Sequence, residues 1–140
     1  MLWLGEPGFR DRKFGPLKAS MMKYRVMETW TATYADPIRI DAGQQLLLSG
    51  ETDDWDGNLW LWAKSAADRK EGWIPDDLPE ERDGRVISRQ AFSAIELTCV
   101  AGETVEGGVA RHGWVWCQAD DGRSGWVPAR HLEAVSGNTK

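Results

Sequence analysis

The chain has 140 residues, 28% of them charged and nine of them tryptophan, with a formal net charge of −5 at pH 7. That length allows one medium domain or two small ones, and no apolar run reaches the roughly 18 residues needed to cross a bilayer. An acidic balance argues against a nucleic-acid role, because phosphates must be met by Lys and Arg. The opening Met1-Leu2-Trp3-Leu4-Gly5 lacks the basic n-region and long apolar stretch of a secretory signal, which predicts a cytoplasmic protein with no membrane contact.

Residues 1–22 hold Gly5, Pro7, Gly8, Gly15 and Pro16 among basic side chains and read as an irregular N-terminal arm. From residue 23 to 80, short runs of strand character fall at 24–32, 38–40, 45–49, 59–64, 71–74 and 77–78. The stretch Glu51–Leu59, rich in Asp, Gly and Asn, reads as a loop. Glu81-Arg82-Asp83-Gly84 reads as a short polar linker. A second series of strands follows over 85–135, at 86–91, 97–100, 104–109, 113–118, 124–127 and 131–133, and 136–140 reads as a frayed tail. Charge is unevenly spread. Residues 1–23 carry five Lys/Arg against two acids, residues 24–81 five against thirteen, and residues 82–140 seven of each.

The two series repeat one another. Trp60-Leu61-Trp62-Ala63 running on to Gly72-Trp73-Ile74-Pro75 matches Trp114-Val115-Trp116-Cys117 running on to Gly125-Trp126-Val127-Pro128. Upstream, Ile38-Arg39-Ile40-Asp41-Ala42-Gly43 aligns with Leu97-Thr98-Cys99-Val100-Ala101-Gly102, each with alternate apolar residues before an Ala-Gly turn. A pattern recurring in order within a short chain marks a tandem of one small unit. Units near 55 residues are marginal alone, which predicts that the two copies touch. Short strands at 8–12-residue spacing with glycine-marked turns predict an all-β fold of two small barrels, one over 23–80 and one over 85–135. Pro75 and Pro128 are each expected to open a 3₁₀ turn.

Both copies resemble the Src homology 3 domain in its bacterial variants. Glu96-Leu97-Thr98-Cys99-Val100-Ala101-Gly102-Glu103 is similar to the family's diverging turn, and Trp114-Val115-Trp116-Cys117 to its W-W-x-A strand. Gly125-Trp126-Val127-Pro128-Ala129-Arg130-His131-Leu132 is similar to its closing G-[YWL]-[IV]-P-S-N-Y-V. The resemblance implies a shallow aromatic groove for proline-rich or other short peptides. Carried over by position, the groove residues are Trp114, Pro128 and His131 in copy two, and Trp60, Pro75 and Leu78 in copy one. The family's A-L-Y-D-Y element is eroded to Ala32-Thr33-Tyr34-Ala35-Asp36 in copy one, where Tyr34 is its one tyrosine, and to Ala91-Phe92-Ser93-Ala94 in copy two.

Alternation in W-x-W puts Trp60 with Trp62, and Trp114 with Trp116, on one face, opposite Leu61 and Ala63 or Val115 and Cys117. The smaller side chains suit a barrel interior, so the tryptophan faces are candidate contacts. They serve either a ligand groove or a contact between the copies or with a second chain, as in a homodimer. Asp53, Asp54 and Asp56 would attract a basic ligand. Cys99 and Cys117 sit at strand positions as small buried hydrophobes, which suits a reducing compartment. No metal-ligand spacing, phosphate-binding loop or nucleophile motif is present. The reading is therefore a non-catalytic protein- or peptide-binding module needing no cofactor or metal, with a structural or assembly protein as the alternative.

Overall fold

The computed structural model describes residues 21–135, so nearly all of the arm expected over 1–22 and the whole tail over 136–140 lie outside the described residues. The regular structure there is β, with no α-helix among the described residues. No helix among the described residues is long and apolar enough to cross a membrane. Copy one contributes β1 (Met22–Val26), β2 (Arg39–Ile40), β3 (Leu46–Trp55), β4 (Asn58–Ser65), β5 (Glu71–Pro75) and β6 (Pro79–Arg82). Copy two contributes β7 (Arg85–Ser88), β8 (Phe92–Ser93), β9 (Thr104–Arg111), β10 (Trp114–Gln118), β11 (Ser124–Pro128) and β12 (Leu132–Ala134).

Each copy builds the same three-stranded meander, β3-β4-β5 and β9-β10-β11. In register, Trp60 faces Pro75 and Trp62 faces Trp73, while Trp114 faces Pro128 and Trp116 faces Trp126. The repeated motif is thus a cross-strand pairing code. The second tryptophan of W-x-W meets the tryptophan of G-W-[IV]-P edge to face, with ring centroids 5.0 Å apart in copy one and 5.2 Å in copy two. The motif glycine leaves room for the preceding diverging segment. A Cβ on Gly125 would stand 2.6 Å from the backbone of Glu96 and Leu97, and one on Gly72 would stand 2.9 Å from the Ile38 side chain.

Strand pairing then crosses between the copies. β1 lies between β9 and β12, so the first strand of copy one completes the sheet of copy two, in the order β11-β10-β9-β1-β12. Reciprocally, β7 pairs with β6, and Ile87 bridges Gln45 at the start of copy one's meander. β2 pairs with β8, and Trp30 bridges Cys99. The cause is local. The segment read as a linker is a hairpin, with Arg82 opposite Arg85 and a two-residue turn at Asp83 (φ 54°) and Gly84 (φ 78°). A turn of this hand suits the twist of antiparallel strands, so β7 folds straight back on β6 and cannot reach its own copy.

The loop expected at Glu51–Leu59 is also a hairpin. β3 runs on to Trp55, and Asp56 (φ 52°) and Gly57 (φ 87°) make the turn, with the Gly57 N–H donating to Asp54 Oδ1 at 3.0 Å. After Pro128 the expected 3₁₀ turn forms at Ala129–His131. After Pro75 only a single turn forms, in which Leu78 N–H donates to the Pro75 carbonyl at 3.0 Å.

Two cores result. One gathers Ile38, Ile40, Leu46, Trp60, Ala63, Ile74 and Leu78 with Phe92 and Trp126 from copy two. The other gathers Leu97, Cys99, Val105, Val115, Cys117, Ala119 and Val127 with Val26 from copy one. The all-β expectation holds. The ladders among the described residues form four open sheets rather than closed cylinders.

Candidate functional site

The residues that correspond to the family groove come together at the junction of the copies. Trp60 and Trp114 meet at 6.4 Å between centroids, at 76°. Trp60 is only 7% exposed, and Pro75 and Pro128 are fully buried, so neither proline offers an open groove floor. His131 is buried too, its Nδ1 3.2 Å from the Glu28 carbonyl and its Nε2 3.2 Å from Glu28 Oε1. Trp30 packs edge-on against both Trp114 (5.3 Å) and His131 (5.5 Å). It supplies the aromatic that copy two's eroded N-terminal element lacks. Sequence reading missed it because its partners belong to the other copy; its one signal was an apolar position in the strand expected over 24–32.

The hairpin tip of each copy covers the groove positions of the other. Trp55, at the tip of β3-β4, lies 4.9 Å from Trp114 and 6.1 Å from Trp30 between centroids. The Arg130 guanidinium sits 4.3 Å over the Trp55 ring and reaches Asp56 at 3.4 Å. At the tip of β9-β10, His112 packs on Trp60 at 5.7 Å, and its Nε2 lies 2.8 Å from Asp76 Oδ1. Beside it Arg111 pairs with Asp77 at 2.7 Å. Gly113 is needed for contact, since a Cβ there would stand 2.9 Å from the Trp55 ring, and its φ of +90° is one that few other residues adopt. Of the acidic loop, Asp56 is thus tied to Arg130 and Asp54 holds its own turn.

What stays open is a cavity of about 210 Å³ beside these contacts. Six tryptophans line it, Trp30, Trp55, Trp60, Trp73, Trp114 and Trp126, drawn from both copies. Asp53, Tyr34 and Glu96 also line it, with no Lys or Arg among the described lining residues. Asp53 and Tyr34 are exposed, and Glu96 is half-buried. Glu96 Oε1 accepts from the Trp30 indole N–H at 3.2 Å and from the Thr33 N–H at 2.9 Å, fixing one wall. The buried indole nitrogens of Trp55 and Trp60 have no acceptor among the described residues, each a cost of about 1–3 kcal/mol. Trp62 stands outside the cavity, behind Trp73 and Tyr34, with its N–H on Glu71 at 2.6 Å. Trp116 is half-buried beside Trp126.

Among the described residues, the one group of three or more metal-type ligands is Asp76, Asp77 and His112. Arg111 already neutralises Asp77 there, which opposes a cation. Cys99 and Cys117 are free and buried. Burial raises the Cys99 thiol above its ordinary value and pushes the Cys117 thiol from 9.0 up to about 12, which keeps both unreactive at neutral pH.

The family model described as variant SH3 domain matches this chain twice, over residues 23–82 and 88–135. The chain belongs to this family. Variant Src homology 3 domains mediate protein–protein interactions and are typically non-catalytic binding modules. Neither curated proteins nor solved structures gave a match.

Proposed function

We propose that this tandem of variant Src homology 3 domains is a non-catalytic protein- or peptide-binding module whose contact surface is the aromatic cavity shared by the two copies. The observation that carries this reading is the six-tryptophan lining with two carboxylates and no basic side chain among the described residues. Flat indole surface gives large apolar contact at low entropic cost, and the uncompensated acids select a basic partner segment. The two family grooves are poor candidates by themselves, because a hairpin tip occupies each. Trp60 and Trp114 then serve chiefly to hold the copies together, which joins part of the structural alternative to the binding one. A peptide array read with the purified protein tests the proposal. Tyr34→Ala and Trp73→Ala should each lower binding about tenfold or more, and Trp116→Ala, outside the cavity, should lower it far less. Unchanged binding by both cavity variants rejects the proposal.

A further inference from the structure

We infer that the cavity receives the methylated ammonium head of a lysine side chain carried by a partner polypeptide, an assignment that rests on the binding role proposed above. The walls are ring faces and edges set nearly at right angles: Trp30 stands at 79° to Trp114, and Trp60 at 76° to it. Ring faces carry negative potential, so a box of them attracts a cation, most strongly when water is excluded. Two carboxylates stand in the same lining with no basic side chain to neutralise them among the described residues. Asp53, in that lining, makes no side-chain hydrogen bond or ion pair among the described residues.

The donor count decides which cation fits. A primary ammonium brings three N–H groups and a guanidinium five, and each needs an acceptor once out of water. Indole walls supply none and Glu96 Oε1 already accepts two hydrogen bonds, which leaves only the exposed Asp53 and the second Glu96 oxygen as carboxylate acceptors for so many donors. A trimethylated ammonium has no N–H, spreads its charge over methyl groups and meets the rings directly. Size agrees as well, since an apolar cavity of about 150 Å³ admits a benzene ring and this one offers about 210 Å³. Exposed Tyr34 and Asp53 leave the cavity open to the surface, so a side chain can enter while its backbone stays outside.

The same surface already holds a cation in this manner. Arg130 lies over the Trp55 ring with Asp56 as its counter-ion, and Trp55 also lines the cavity with Asp53 two residues before it.

Calorimetric titration of the whole protein with one peptide in four forms tests the inference. The lysine would be trimethylated, unmodified, replaced by its uncharged tert-butyl analogue, or absent with choline chloride added instead. The trimethylated peptide should bind at least about tenfold tighter than the unmodified and uncharged forms. Asp53→Asn, at an exposed position that leaves the core intact, should remove most of the trimethylated peptide's margin over the uncharged analogue. Equal affinity for the uncharged analogue overturns the cation assignment, and choline binding as tightly as the peptide overturns the side-chain source. If no form binds while array binding still depends on Tyr34 and Trp73, the ammonium assignment fails and the binding role stands.

Discussion

The two hairpin tips solve one contact with different chemistry. Asp56-Gly57 and His112-Gly113 are the same two-residue turn, with φ of 52° and 87° in the first and 49° and 90° in the second. Just before the turn, copy one places Trp55 under Arg130, while copy two places Arg111 against Asp77. The backbone geometry sets the reciprocal docking, and the side chains that use it have diverged. An aromatic tip gains from apolar burial, which salt leaves intact. A charged tip gains from the Arg111–Asp77 ion pair, whose acid is 61% exposed, so solvent and salt weaken it.

The sharpest way to break the reciprocity is to remove the tryptophan that carries the His112 tip and also meets Trp114. Trp60→Ala should cost about 3–5 kcal/mol in urea unfolding, and Trp62→Ala, two residues on and only half-buried, clearly less. Equal losses would mean that Trp60 is not the central contact. The motif glycines come next. Gly125→Ala drives a methyl into backbone and should cost about 3 kcal/mol, whereas Gly72→Ala meets a movable Ile38 side chain and should cost nearer about 1 kcal/mol.

The tips themselves should differ by less. Trp55→Ala should destabilise by about 2 kcal/mol, most of it kept in 1 M NaCl because only the Arg130 contact is ionic. Arg111→Ala should cost under about 1 kcal/mol, and that loss should vanish in 1 M NaCl. A salt-sensitive Trp55 variant would refute the division into an aromatic and an ionic tip.

The smallest effect compares the cores, where copy two has Cys99 and Cys117 at the positions of Ile40 and Ala63. Burial favours the neutral thiol of Cys117, so its contribution is fully present below about pH 9 and is lost as pH rises toward about 12. A thiol reagent at pH 7.5 should leave both cysteines unlabelled until denaturant is added. Labelling of the native protein would show that the second core opens.

Local pattern made much of this protein legible. The repeated W-x-W and G-W-[IV]-P, the Ala-Gly turns and the alternation of Val115 and Cys117 against the tryptophans follow from the period of two along a strand, and they carry the family with them. Asp83-Gly84 and Asp56-Gly57 were harder. An Asp-Gly pair serves a flexible linker or a tight hairpin equally well until the flanking strands find each other. The site was legible only in part. Trp60, Trp114, Tyr34 and Asp53 were singled out from position or composition, while Trp30, Trp55 and Glu96 were not, since each works on residues of the other copy.

The amino-acid order alone determined the duplication, the strand period and the family, because those depend on neighbours along the chain. Tertiary structure alone decided which first strand completes which sheet, which tryptophans are covered and where a cavity is left. Those outcomes depend on a two-residue turn that holds β7 on β6 and sends β1 across to β9 and β12. Contacts between distant segments leave no periodic trace in the sequence, so the shared aromatic cavity exists only once the two copies have exchanged strands.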